Sequence, residues 1–157
     1  MTASSRPRRG FTLIEILMVV VILGVLATVI IGLFSNATGD AAGSALKDNL
    51  RGIRGALQVY YAQHGAYPAV STFDAQMTQY SDVAGNTSTA MTSTYRFGPY
   101  MLQVPPLPVG ANRGNATVTG TTYSSGFGWQ YDATTGEFHA NCPDSETDAQ
   151  GNVYHLF

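Results

Sequence analysis

Arg8-Arg9-Gly10-Phe11-Thr12-Leu13-Ile14-Glu15 sets a short basic head directly against a long apolar run with a single carboxylate near its start. Residues 16–34 contain no charged side chain over 19 positions. As a helix at about 1.5 Å per residue, that run reaches across roughly 30 Å of hydrocarbon. Glu15 then falls inside a membrane-competent segment. A charge at the bilayer centre costs about 2.5–3.5 kcal/mol on insertion scales, so an acid in this place points to a function. The alternative is an interfacial glutamate reaching the headgroups.

Working outward, Arg6, Arg8 and Arg9 precede the apolar run, and Lys47, Arg51 and Arg54 follow it at greater distance. The nearer cluster decides, so a cytoplasmic N-terminus and an exported C-terminal part are expected. A secretory signal is cut after its apolar region, beside small residues. Here the glycine stands before that region, so the apolar helix stays in the mature chain.

Gly10 followed by Phe-Thr-Leu-Ile-Glu and the unbroken run Ile16-Leu17-Met18-Val19-Val20-Val21-Ile22-Leu23-Gly24-Val25-Leu26-Ala27 resembles the leader and stem of type IV pilins and of type II secretion pseudopilins. The resemblance implies cleavage by a prepilin peptidase after Gly10, N-methylation of Phe11 and a glutamate fifth in the mature chain, which is Glu15. It also implies storage in the bacterial inner membrane, with membrane lipid around the stem. From there an assembly platform would draw the subunit into a helical homo-oligomeric filament, joined by minor pseudopilins or pilins. In that filament Glu15 would pair with the Phe11 amine of a neighbour. Many such stems carry proline where this chain has Gly32, so a proline kink is not expected.

Beyond Phe34 the helical pattern becomes amphipathic. Leu46, Leu50, Ile53, Leu57, Tyr60 and His64 recur at steps of three and four and form one face. Lys47, Asp48, Arg51, Arg54 and Gln58 lie on the opposite side. Gly65 and Tyr67-Pro68 stop the helix, because proline disfavours helical backbone before it. Gly24, Gly32, Gly39, Gly43, Gly52 and Gly55 lie inside it, each costing about 1 kcal/mol relative to alanine, so the helix is expected to bend or loosen.

The fold class expected is α+β and pilin-like: one long N-terminal helix, half membrane and half amphipathic, packed on a small antiparallel sheet. The domains are a leader at 1–10, a transmembrane and filament-core helix at 11–34, and an exported globular domain at 35–157. Within the last, residues 69–94 read as a polar loop with a short helix near 72–80. Val104-Pro105-Pro106-Leu107-Pro108 is an extended connector, since prolines cannot donate to a sheet. Strands are expected at 116–123, 126–131 and 137–141, the last two joined by a turn at Asp132-Ala133-Thr134-Thr135-Gly136. Phe127, Trp129 and Tyr131 alternate onto one face. This hairpin and Tyr67-Pro68 resemble segments of major pseudopilins.

The composition sets limits. The chain has 157 residues, of which 8 are basic and 10 acidic, and loss of Arg6, Arg8 and Arg9 would leave a more acidic mature chain. Nucleic acid is therefore not expected as a main partner. One cysteine, Cys142, allows no internal disulfide. His64, His139 and His155 show no paired spacing, and no phosphate-cradling glycine loop, Cys-x-x-Cys or dinucleotide fingerprint is present, so no enzyme is expected. Asp144, Glu146 and Asp148 alternate before Gly151, a flexible acidic loop of the type calcium favours. A calcium site in this loop is what the resemblance to major pseudopilins implies.

Three functions from different classes follow: a pseudopilus subunit of type II secretion, a type IV pilus subunit serving adhesion, motility or DNA uptake, and an unprocessed membrane-anchored binding domain.

Overall fold

The computed structural model describes residues 11–157, with the side chains of residues 29–38 outside that description. The expected leader at 1–10 with Gly10, and the side chains at the far end of the apolar run, therefore lie outside it. The chain divides into two compact units between Thr38 and Gly39. Helix α1, Leu13–His64, contributes to both.

In the first unit α1 begins at a capping box. Thr12 is the N-cap: its Oγ1 accepts the Glu15 N–H at 3.3 Å, while Glu15 Oε2 accepts the Thr12 N–H at 2.8 Å. The spacing of Thr12 and Glu15 carries this signal in the sequence, yet the reading above assigned Glu15 only to lipid or to a neighbour.

The second unit is built on the amphipathic half of α1. Leu46, Leu50, Ile53, Leu57 and Tyr60 are all buried, as the three-and-four spacing predicts. The helix ends where expected: Gly65 takes φ +71° and its N–H donates to Tyr61 O at 2.8 Å. Its glycines do not interrupt the helical assignment. Arg54, on the opposite side from the stripe, is half-buried. Its guanidinium donates to Phe138 O at 2.8 and 3.1 Å and to Phe157 O, tying the helix to the third sheet strand and to the C-terminal segment.

A 3₁₀ turn at Val70–Thr72 leads into α2, Phe73–Thr78, close to the short helix read from sequence. Strands β1 (Tyr80–Ser81) and β2 (Thr87–Ser88) pair antiparallel inside what reads as loop. Asp82 makes this hairpin: its Oδ1 accepts the N–H of Ala84 at 2.9 Å and of Asn86 at 3.0 Å, and Gly85 follows at φ +82°.

The other sheet contains β3 (Val118–Thr119), β4 (Trp129–Tyr131) and β5 (Phe138–Ala140). β4 and β5 form the expected antiparallel hairpin, with Gln130 opposite His139. Its turn is closed by Asp132, whose Oδ1 accepts the Thr134 N–H at 2.7 Å. β3 runs parallel to β4, Val118 opposite Trp129, and it covers only two of the eight residues expected there. Gly128, just before β4, sits against the Asn115 carbonyl, and any side chain there would overlap it.

Trp129, Tyr131 and Phe138 pack with Phe73 and the helix stripe into one core. Phe127 departs from the expected aromatic face, since it lies before β4 and is half-buried. Asn141 is fully buried and uses all of its hydrogen-bonding capacity. Its Nδ2 donates to Ser124 O at 2.6 Å and Phe127 O at 2.7 Å, and its Oδ1 accepts from Ser124 N at 3.2 Å and Gln130 Nε2 at 3.1 Å. Asn141→Leu leaves those groups without partners and is expected to cost about 2–4 kcal/mol. Urea unfolding of the purified protein measures it, and a loss below about 1 kcal/mol would mean the loop repacks around the leucine.

Candidate functional site

From Leu13 to Leu26 every large apolar side chain of α1 stands open. The exposures run from 47% at Val19 to 86% at Leu13, and Phe11 before them is 78% exposed. A helix apolar on all sides is stable only inside lipid or among other apolar helices. Among the described residues no helix is long and apolar enough to cross a membrane. The charge-free run continues to Phe34, so the expected span at 11–34 falls partly on side chains outside the described ones.

Glu15 is the only charged side chain in residues 11–39. Besides the Thr12 N–H it accepts the Thr12 hydroxyl at 2.9 Å, so one carboxylate oxygen carries both bonds. Among the described residues no donor reaches Oε1. The helix N-terminus adds a partial positive charge beside it. This arrangement lets a carboxylate enter an apolar setting partly compensated, and leaves it able to accept from a cation brought alongside.

The three acidic residues of the C-terminal loop are employed separately. Asp144 lies 3.6 Å from His155 Nδ1 and is 93% exposed. Glu146 Oε1 accepts the Ala111 N–H at 2.8 Å, and its buried Oε2 faces the Cys142 thiol without a hydrogen-bond partner. Asp148 closes a turn, accepting from Gln150 N at 2.9 Å and Asn152 N at 2.8 Å. The Asn152 side chain and these backbone donors hold its carboxyl below the usual range. Among the described residues no three such side chains are gathered to hold a metal ion, so the residues as placed do not fit the calcium site the resemblance implies. Each turn takes its own carboxylate, and alternation along the chain did not reveal that.

Cys142 is buried, and burial together with Glu146 pushes its thiol up to about 12, so it stays protonated. The histidines serve separate structural contacts. His64 Nε2 lies 2.9 Å from Tyr100 OH and its ring stacks on Tyr60 at 4.1 Å, while His139 Nδ1 lies 3.0 Å from His155 O.

A family model described as the prokaryotic N-terminal methylation motif matches residues 5–31. Type II secretion system core protein G of Pseudomonas aeruginosa is 39% identical over 64 residues, which is 41% of this chain and 45% of the relative. Type IV major pilin protein PilE1 of Neisseria gonorrhoeae is 33% identical over 78 residues, 50% of this chain and 47% of the relative. The fimbrial protein of Neisseria meningitidis is also 33% identical over 78 residues, 50% of this chain and 45% of the relative. The chain thus spans just under half the length of the curated relatives it matches. No solved structure gives a significant match. The methylation motif at residues 5–31 and the relatives of both secretion and pilus kinds make the chain, over part of its length, similar to type IV pilins and to the pseudopilins of type II secretion.

Proposed function

We propose that the protein is a structural subunit of the pseudopilus of a type II secretion system. A prepilin peptidase removes residues 1–10 after Gly10, and Phe11 becomes the methylated N-terminus. The subunit waits in the inner membrane as a single-pass protein, N-terminus cytoplasmic and residues 35–157 exported. The assembly platform then moves it into a filament with minor pseudopilins. The observation that carries this reading is the apolar helix from Leu13 to Leu26, uncovered on every side and headed by one capped carboxylate.

The chemistry follows from that stem. Lipid covers it before assembly and other stems cover it afterwards, so transfer exposes no apolar surface to water. A carboxylate moved into a core of stems needs a cation or must neutralise. Cleavage creates that cation, the Phe11 amine of a neighbour, which can use the free oxygen of Glu15. A repeated head-to-tail contact whose rotation does not close makes a filament rather than a ring.

A second reading, a type IV pilus subunit, is favoured by the similarity to PilE1 and the fimbrial protein. Deleting the gene in its native host separates them. The secretion reading expects exoproteins retained in the periplasm with surface fibres intact. Loss of surface fibres with secretion intact would move the protein to the pilus reading.

A further inference from the structure

The strand edge left open by β3 faces a groove of about 470 Å³ whose floor includes Phe73, Val104, Val118 and Phe127, with Asp74 at its rim. In the parallel ladder with β4, Trp129 N–H donates to Thr117 O at 3.1 Å, and the register places the Thr119 amide and carbonyl on β4 as well. The N–H and C=O of Val118 therefore point the other way, into the groove, and no hydrogen bond takes them among the described residues. Natural sheets blunt such an edge with charge, proline or a covering segment. Residues 116–128 contain no charged residue and no proline, and Thr117-Val118-Thr119 followed by Thr121-Thr122-Tyr123 is rich in strand-forming residues of which only two are paired.

We propose that this edge is a docking site for an extended peptide segment of a partner protein, which adds as a strand beside β3. The segment carries an apolar side chain for the floor between Phe73 and Phe127 and a basic side chain for Asp74. An unpaired backbone donor and acceptor recognise another backbone, which is why a peptide fits better than a small molecule. Asp74 is exposed and no cation pairs with it among the described residues. A second copy offering the same edge brings no basic residue within 116–128 to meet Asp74, so charge complementarity favours a foreign basic segment over self-pairing. The proposal holds whichever filament the subunit enters.

The test is selection of a random heptapeptide display library on the full chain in detergent micelles, followed by amide NMR with the enriched peptide. Sequences alternating β-branched residues with a lysine or arginine are expected, with hydrogen exchange of the Val118 amide slowed about tenfold or more in the complex. Val118→Pro, which removes the groove-facing donor, should lose binding. Asp74→Lys should lose it too and recover it with a glutamate in place of the peptide's basic residue, a control independent of the proline variant's folding. Enrichment equal on the protein and on both variants, or an exchange effect at Val118 that grows with protein concentration alone, would overturn the proposal, the latter by showing that a second copy takes the edge.

Discussion

Glu15→Ala is expected to leave the chain in the membrane and to abolish filaments. Insertion becomes easier, because removing the carboxylate removes the one charged side chain from the apolar stem. Assembly fails for a different reason: the Phe11 amine of the next subunit enters a core of stems with nothing to accept its protons. Leaving one member of a buried pair alone costs about 3–5 kcal/mol, which is roughly two to nearly four orders of magnitude in the concentration needed to add each subunit. Glu15 also caps α1, and that role must be separated from the charge. Glutamine at this position keeps a side chain able to reach the Thr12 N–H but carries no charge. Glu15→Gln should therefore assemble as poorly as Glu15→Ala. Filament counts by electron microscopy, normalised to membrane-bound subunit, read both variants. Normal filaments from Glu15→Gln would assign the residue to helix capping and remove the pairing step.

Trp129→Ala should produce the largest loss of stability in the globular unit. The indole is fully buried, lies 5.3 Å from the Phe138 ring and donates from Nε1 to Pro105 O at 2.8 Å. Truncation leaves a cavity among the helix stripe and sheet and strands the Pro105 carbonyl, at a cost of about 3–5 kcal/mol. For a unit of this size the midpoint should fall by roughly 10–20 °C. Since whole domains are stable by only about 5–15 kcal/mol, the variant approaches unfolding. Trp129→Phe keeps most of the ring and should lose less. A thermal scan followed by near-ultraviolet circular dichroism checks the order, and equal midpoints for both variants would show that the cavity collapses.

The long helix and the hairpin were legible in the sequence because each is set by a local period. Leu46, Leu50, Ile53, Leu57 and Tyr60 repeat with the helical turn, Gly65 stops it, and Asp132 to Gly136 turns β4 into β5. The role of Arg54 was not legible, because its position on the helix is polar by periodicity while its partners, Phe138 O and Phe157 O, come from far along the chain. The same holds for β3, whose parallel pairing with β4 depends on a loop between them and leaves no local pattern. At the N-terminus, Glu15 was found from its charge in an apolar run, although Thr12 three residues earlier already named its partner within the chain. In the C-terminal loop, Asp144, Glu146 and Asp148 looked alike as a row of carboxylates. Asp148 closes a turn, Glu146 reaches back to Ala111 and Asp144 reaches His155, assignments made by contacts that alternation cannot express.

Processing precedes every step proposed for assembly, so the most direct measurement is the mass of the N-terminal peptide from protein purified out of its native membrane. The account requires a chain that begins at methylated Phe11, with residues 1–10 gone. A chain that retains Gly10 and its arginines in cells with active prepilin peptidase would contradict it, making the protein an anchored domain and leaving Glu15 as a helix cap alone.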